Sequence, residues 1–163
     1  MKQVFSNLHI GSQEDYENIV KHQEGWYVIH ACKEPYHRDA LGYKGRAASM
    51  NHPEYLMAFR DNTLILNLVD APDPAYISKS IIDEAIKAIH DNINSMKVFV
   101  HCNQGFSRSA VIGLLYLHKV GLISTDNFSE AEQQFIVLYP WYNPGEGMRQ
   151  FALSNWNNYK STR

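Results

Sequence analysis

Apolar positions change their spacing several times along this chain, and the changes mark out its elements. Val4 to Gly11 reads as a short extended opening, and Gln13 to Glu24 follows with Tyr16, Ile19 and Val20 at helical spacing, ended by Gly25. Trp26 to Ala31 is aromatic and β-branched, as expected of a buried strand, and Cys32 closes it. Between Lys33 and about Arg60 the periodicity fails, because Pro35, Gly42, Gly45 and Pro53 interrupt it; only Glu54 to Phe59 has room for a short helical turn. That stretch reads as an insertion-like loop over about 33–60. After an Asp61-Asn62 turn, Thr63 to Val69 shows little alternation, the pattern of a strand covered on both faces. Beyond the loop Asp70 to Tyr76, the residues Ile77, Ile81, Ile82, Ala85, Ile86, Ile89 and Ile93 predict a helix ending near Asn92 to Ser95, and Lys97 to His101 is again a strand.

Strand, helix and strand in succession form a βαβ unit, whose two strands run parallel with a right-handed crossover. If they are neighbours, the loops leaving their carboxyl ends share one edge of the sheet, where α/β proteins bind ligands. Asp70 and Cys102 should then face one cleft. Ala110 to Val120 is apolar nearly all round, as in a buried helix stopped by Gly121. Thr125, Asp126 or Ser129 caps the next helix, with Ser129 and Glu132 at capping-box spacing, and Pro140 ends it after Tyr139. Trp141 to Gly147 is turn-rich, and Met148 to about Tyr159 reads as a final helix. The fold class expected is α/β: a central twisted, mostly parallel sheet of about four to five strands flanked by helices on both sides, in a single domain over 1–163.

Composition narrows the function. The 163 residues are 45% hydrophobic and 20% charged, in the globular range, and the formal net charge of −2 argues against a nucleic-acid or membrane-surface binder. No apolar run reaches transmembrane length, and Met1-Lys2-Gln3-Val4 lacks the apolar segment of a secretory leader. Two cysteines are too few for a disulfide scaffold, so a reducing, cytoplasmic setting is expected. The eight histidines lack metal-ligand spacing.

The chemistry concentrates where the last strand meets the buried helix, at His101-Cys102-Asn103-Gln104-Gly105-Phe106-Ser107-Arg108-Ser109. Such a loop places Cys102 below a helix N-terminus, where unpaired N–H groups and the helix dipole attract an anion. A cysteine attacks only as thiolate, and this setting favours that form. The residues Asn103, Gln104, Gly105, Phe106, Ser107 and Arg108 can turn their N–H groups around a phosphate, with Gly105 supplying the backbone twist. Arg108 adds a planar fork matched to two phosphate oxygens. Ser109 can donate to the sulfur, and His101, pointing to the other face of its strand, is an orienting group rather than a base. A departing oxygen needs an acid: Asp70 is the first choice, with Asp73 as substitute in the same loop, and the chemistry requires no metal or cofactor. Cys32 reads as a core residue, with a disulfide to oxidised Cys102 as the alternative.

The pattern His101-Cys102, five residues, then Arg108-Ser109 resembles the active-site signature of the cysteine-based protein tyrosine phosphatases, and Asn103 to Ser107 resembles their compact dual-specificity branch. Asn7 to Ser12, Asn67 to Asp70 and Gly147 to Gln150 resemble further parts of such domains, so the likeness spans most of the chain. It implies a two-step hydrolysis of phosphotyrosine, with phosphoserine and phosphothreonine as further targets, in which Cys102 is the nucleophile, Arg108 binds phosphate, Asp70 is acid and base, and Ser109 stabilises the leaving sulfur. The implied partner is a phosphorylated protein or peptide. Two departures stand out. The asparagine usual before the last helix is replaced by Gly145 or displaced to Asn143, and the 33–60 stretch is longer and more basic, so Arg38, Lys44 and Arg46 are candidates for specificity. Asn103 and Gln104 stand where phosphoinositide-directed relatives carry paired lysines, which weakens that alternative; a non-catalytic phosphate-binding module and a sulfur-transfer or arsenate-reducing enzyme are the other readings weighed.

Overall fold

The computed structural model describes residues 1–162, and all its strands join one sheet. The strands are β1 (Lys2–Phe5), β2 (Leu8–Ser12), β3 (Trp26–His30), β4 (Met57–Arg60), β5 (Thr63–Leu66) and β6 (Lys97–Cys102), in the order β1-β2-β6-β3-β5-β4. The inner pairs are parallel and the two edge strands antiparallel. Six strands exceed the four to five expected, and the two additions have separate causes. The opening segment folds back on itself at Asn7, whose φ of 62° is the left-handed conformation that asparagine tolerates. At the other edge, residues 57–60 form a strand and not the helical turn expected over Glu54 to Phe59: Asp61, at φ 47°, makes a two-residue hairpin that pairs Arg60 with Thr63 and covers the open edge of β5.

The βαβ expectation needs one correction. β5 and β6 are not neighbours, since β3 lies between them and pairs parallel to both. The edge-sharing argument survives, because three parallel strands still put their carboxyl ends on one side. Within the 33–60 stretch, a helical turn (Lys33–His37) and a short α2 (Arg38–Leu41) precede irregular chain.

Helix α3 (Lys79–Asn92) starts at Ser78, whose hydroxyl accepts from the Ile81 N–H. α4 (Arg108–Lys119) is buried from Ser109 to His118 and ends before Gly121, at φ 82°. α5 (Phe128–Leu138) is capped by Asn127, whose side chain accepts from the Glu130 N–H, and not by Thr125, Asp126 or Ser129; Thr125 instead accepts from the Asn127 N–H and donates to Glu130. α6 (Glu146–Asn155) begins two residues before Met148 and tightens into a 3₁₀ turn at Trp156–Tyr159. α1 (Gln13–Asn18) breaks at Ile19 into a 3₁₀ turn, half the length that Gln13 to Glu24 promised; only Tyr16 and Val20 need to reach the sheet, where Trp26, Val28 and Phe99 wait.

Alternation along β6 separates two layers. Val98 and Val100 join Ile29, Leu64, Leu66, Ile82, Ile89 and Ile112 in the main core, whereas Phe99 faces the α1 side. Removing one such buried Leu or Ile side chain costs about 2–5 kcal/mol. Continuing the alternation puts Cys102 on the α4 side and His101 on the α1 side.

Candidate active site

The segment 103–107 joins the end of β6 to the first turn of α4 and wraps a cleft of about 430 Å³ whose lining includes Asp70, Cys102, Phe106, Arg108 and Asn143. Cys102 lies in its floor, 2% exposed. Its Sγ is 3.2 Å from Ser109 Oγ, which also donates to the Gly11 carbonyl at 3.4 Å. One hydroxyl proton can serve only one acceptor, so a thiol can donate to Oγ while the hydroxyl bonds Gly11, and a thiolate can draw that proton to itself. Gly105 holds the bend at φ 83°, and a side chain there would strike the Gly11 carbonyl, so this position requires glycine on both counts. Tyr139, which no sequence pattern singled out, fixes the bend by donating from its hydroxyl to the Gly105 carbonyl at 2.7 Å.

Arg108 is held by two of its nitrogens and leaves the third free. Nη1 donates to the Leu68 carbonyl at 3.0 Å and Nη2 to Asn103 Oδ1 at 2.7 Å, while Nε is buried without a partner. A buried guanidinium N–H without an acceptor is costly, and Arg108 is among the residues lining the cleft. Asn103, whose backbone N–H is the group expected at the phosphate, has its side chain committed to support: its amide also donates to Gln13 Oε1 and to the Glu34 carbonyl, each at 2.9 Å. Asn103→Ala should therefore release Arg108 and weaken competitive inhibition by inorganic phosphate about tenfold, as expected for one lost charge-assisted bond. An unchanged inhibition constant would exclude this clamp.

Asp70 meets the loop through Ser107, whose hydroxyl donates to Asp70 Oδ1 at 3.0 Å and accepts from the Gly145 N–H at 2.9 Å. The βαβ argument thus placed Asp70 at the cleft that Cys102 also lines. Asp73 is not at the cleft; it caps a local turn by accepting from the Ala75 N–H. At the two positions named for the departed asparagine, backbone makes the contacts: the Gly145 N–H donates to Ser107 Oγ, and the Asn143 N–H donates to the Phe106 carbonyl at 2.9 Å. Glycine at 145 has a further reason, since a Cβ there would sit 2.8 Å from Asp70 Oδ1, and one at Gly147 would overlap the Ala71 carbonyl oxygen. Gly145→Ala should displace Asp70 and lower kcat on the order of 10²-fold, the cost of misplacing a reacting group by about 1 Å. Steady-state kinetics alongside a melting curve checks this; full activity in the folded variant contradicts it.

On the far side of β6, His101 donates from Nδ1 to the Cys102 carbonyl at 3.2 Å and lies 2.6 Å through Nε2 from Nδ1 of His30. Burial pushes His101 down to about 4 and His30 down to about 2, the latter helped by its histidine neighbour. Both stay neutral in the folded chain, whereas the unfolded chain takes up their protons near 6.5. The unfolded state then binds more protons below that pH, so stability is complete above about 6.5 and falls as the pH drops towards 4. Urea titrations across that interval should show a declining midpoint; a flat profile contradicts a neutral pair. Burial likewise pushes the Cys32 thiol up to about 12, so Cys32 is a packed core thiol, and both cysteines are free.

The basic candidates of the 33–60 stretch do not reach the cleft. Arg38 is consumed internally, donating to the Glu34 carboxylate and to the Tyr43 and Gly45 carbonyls, and Lys44 and Arg46 are exposed elsewhere on the loop. The stretch meets the cleft's supports through two backbone groups without a sequence signal: the Glu34 carbonyl, which accepts from the Asn103 amide, and the Lys33 N–H, which donates to the Leu68 carbonyl at 2.9 Å. Among the described residues no cluster of three or more His, Cys, Asp or Glu side chains is placed to hold a metal ion, and no helix is long and apolar enough to cross a membrane.

No protein-family model matches the chain, and no curated protein matches it. Solved structures do. A crystal structure of DUSP15 aligns with a TM-score of 0.63 at 20% identity, covering 98% of this chain and 89% of that one. The human tyrosine phosphatase-like serine/threonine/tyrosine-interacting protein gives 0.62 at 19%, covering 97% and 95%, and PTPMT1 in complex with PI(5)P gives 0.60 at 16%, covering 96% and 94%. The fold is therefore that of the dual-specificity-phosphatase-like, cysteine-based protein tyrosine phosphatases.

Proposed function

We propose that the protein is a phosphate monoester hydrolase acting on phosphotyrosine, with phosphoserine and phosphothreonine as further substrates, through a phosphocysteine intermediate formed in one catalytic domain. The observation that carries the reading is one cleft lined together by Cys102, Arg108 and Asp70, with Ser109 Oγ 3.2 Å from the Cys102 sulfur. In the first step the Cys102 thiolate attacks phosphorus, the bond from phosphorus to the ester oxygen breaks, and Asp70 gives its proton to that oxygen. Arg108 and the loop N–H groups hold the equatorial oxygens, where charge is spread in the transition state. In the second step water attacks phosphorus, Asp70 takes a proton from it, and the S–P bond breaks to return the thiolate, which accepts a hydrogen bond from Ser109.

Both chemical groups a hydrolase needs are present in the cleft, which disfavours a module that only binds phosphate. The likeness to a structure solved with a phosphoinositide keeps such lipids in the substrate panel. The test is hydrolysis of p-nitrophenyl phosphate with a chelator present, followed by phosphotyrosine and phosphothreonine peptides and phosphoinositides. Metal-independent turnover with preference for phosphopeptides is expected. Activity lost to the chelator contradicts the mechanism, and preference for the lipid overturns the substrate class.

A further inference from the structure

Behind Cys102, on the α1 side of the sheet, lies a buried group that this chemistry does not use. His30 on β3 stands opposite His101 on β6, and the two imidazoles, 4% and 0% exposed, approach to 2.6 Å between Nδ1 of His30 and Nε2 of His101. Two neutral imidazoles at that distance share one proton, and the other bond of His101 decides which ring supplies it. The Cys102 carbonyl can only accept, so His101 carries its proton on Nδ1, presents a bare Nε2, and receives the N–H of His30.

Aromatic packing fixes both rings. Tyr36 stacks on His30 at 4.1 Å and 10°, Tyr16 meets His30 edge-on at 4.7 Å and stacks on His101 at 5.2 Å, and the Tyr36 hydroxyl donates to Glu17 at 2.8 Å. Fixing His101 fixes the carbonyl it holds. Because the peptide after Cys102 is trans and planar, its carbonyl and the next N–H point in opposite directions. With the carbonyl turned to the α1 side, the Asn103 N–H turns to the α4 side, where Sγ lies.

We propose that His30 is a positioning residue for the nucleophile: its Nδ1–H sets the tautomer of His101, His101 holds the Cys102 carbonyl, and that peptide plane aims the Asn103 N–H into the anion cradle. His30 touches neither sulfur nor phosphate. The inference rests on the cradle reading of the cleft, and its test does not need turnover.

The test follows iodoacetamide alkylation of Cys102 against pH, located by peptide mass, in three variants. Arg108 and Asp70 face Cys102 across the cleft, and Asp15 and Glu17 approach His101 from α1; all are unchanged in these variants. His30→Phe keeps a flat ring against Tyr36 and removes the donor. His30→Asn places an amide N–H where Nδ1 stood, and His30→Gln carries its amide past that point. His30→Phe and His30→Gln should move the alkylation midpoint to higher pH and weaken binding of inorganic phosphate about tenfold, as one lost N–H contact to an anion predicts, while His30→Asn returns both to the wild-type values. If His30→Phe does not fold, the Asn and Gln variants make the same comparison. Equal midpoints in the folded variants, or Asn no better than Gln, overturn the proposal. Variants that show the predicted shifts while the wild-type protein hydrolyses no ester would leave His30 in this role and remove the enzyme reading instead.

Discussion

Cys102→Ser folds normally and loses turnover by at least about 10⁴-fold in kcat, because a serine hydroxyl at this site is neither ionised nor as good a leaving group as sulfur. The loss should be confined to chemistry. Arg108 Nε, the Ser109 hydroxyl and the Asn103 clamp remain in place in the variant, so inorganic phosphate still binds and the melting temperature changes little. Removing one sulfur from a buried but polar floor creates no large cavity, unlike truncation in the core formed by α3 and α4. Stopped assays with the variant at high concentration check the prediction. Residual turnover within about tenfold of wild type would mean that another group attacks, a difference far below the one expected of a lost nucleophile.

Asp70→Asn gives the second large effect, and its size depends on the leaving group. An amide at this position still accepts from the Ser107 hydroxyl, which keeps its own bond from the Gly145 N–H, so the loop stays closed, but the amide has no proton to give. General acid catalysis is worth about 10²–10⁴-fold when the departing oxygen is basic. kcat/KM should therefore fall most for phosphoserine, less for phosphotyrosine and least for p-nitrophenyl phosphate, whose phenolate leaves without help. A uniform loss across the three esters would assign Asp70 to structure and not to proton transfer.

Much of this site was legible in the chain because its parts are local. Cys102, Arg108 and Ser109 lie within one strand-loop-helix unit, where eight consecutive residues decide the geometry and backbone conformation is the only unknown. Asp70 was legible at one remove, since parallel strands share a carboxyl edge whether or not they touch, and the intervening β3 changed the topology without changing the conclusion. What was hidden depends on contacts between distant segments. Gly145 and Gly147 look like turn residues in the sequence, and only the close approach of the Asp70 loop to α6 shows why no side chain fits there. Tyr139 and His30 are unremarkable among ten tyrosines and eight histidines until the fold sets them against the Gly105 carbonyl and His101. The edge strand β4 was missed for a related reason: four residues carry too little periodicity to tell a strand from a turn, and pairing with β5 decides. Arg38 shows the opposite error, a charge assigned to recognition that the fold spends on its own loop.

The central claim is a covalent phosphoryl group on Cys102. Asp70→Asn should slow water attack more than it slows departure of nitrophenolate, so the variant mixed with p-nitrophenyl phosphate should release a burst of nitrophenolate equal to the enzyme present. Acid quenching during that burst and intact-mass analysis should find one phosphate per chain, placed on the peptide containing Cys102 and absent from the Cys102→Ser protein. Steady turnover by wild type with no burst and no phosphorylated Cys102 peptide in the Asp70→Asn variant would contradict the account.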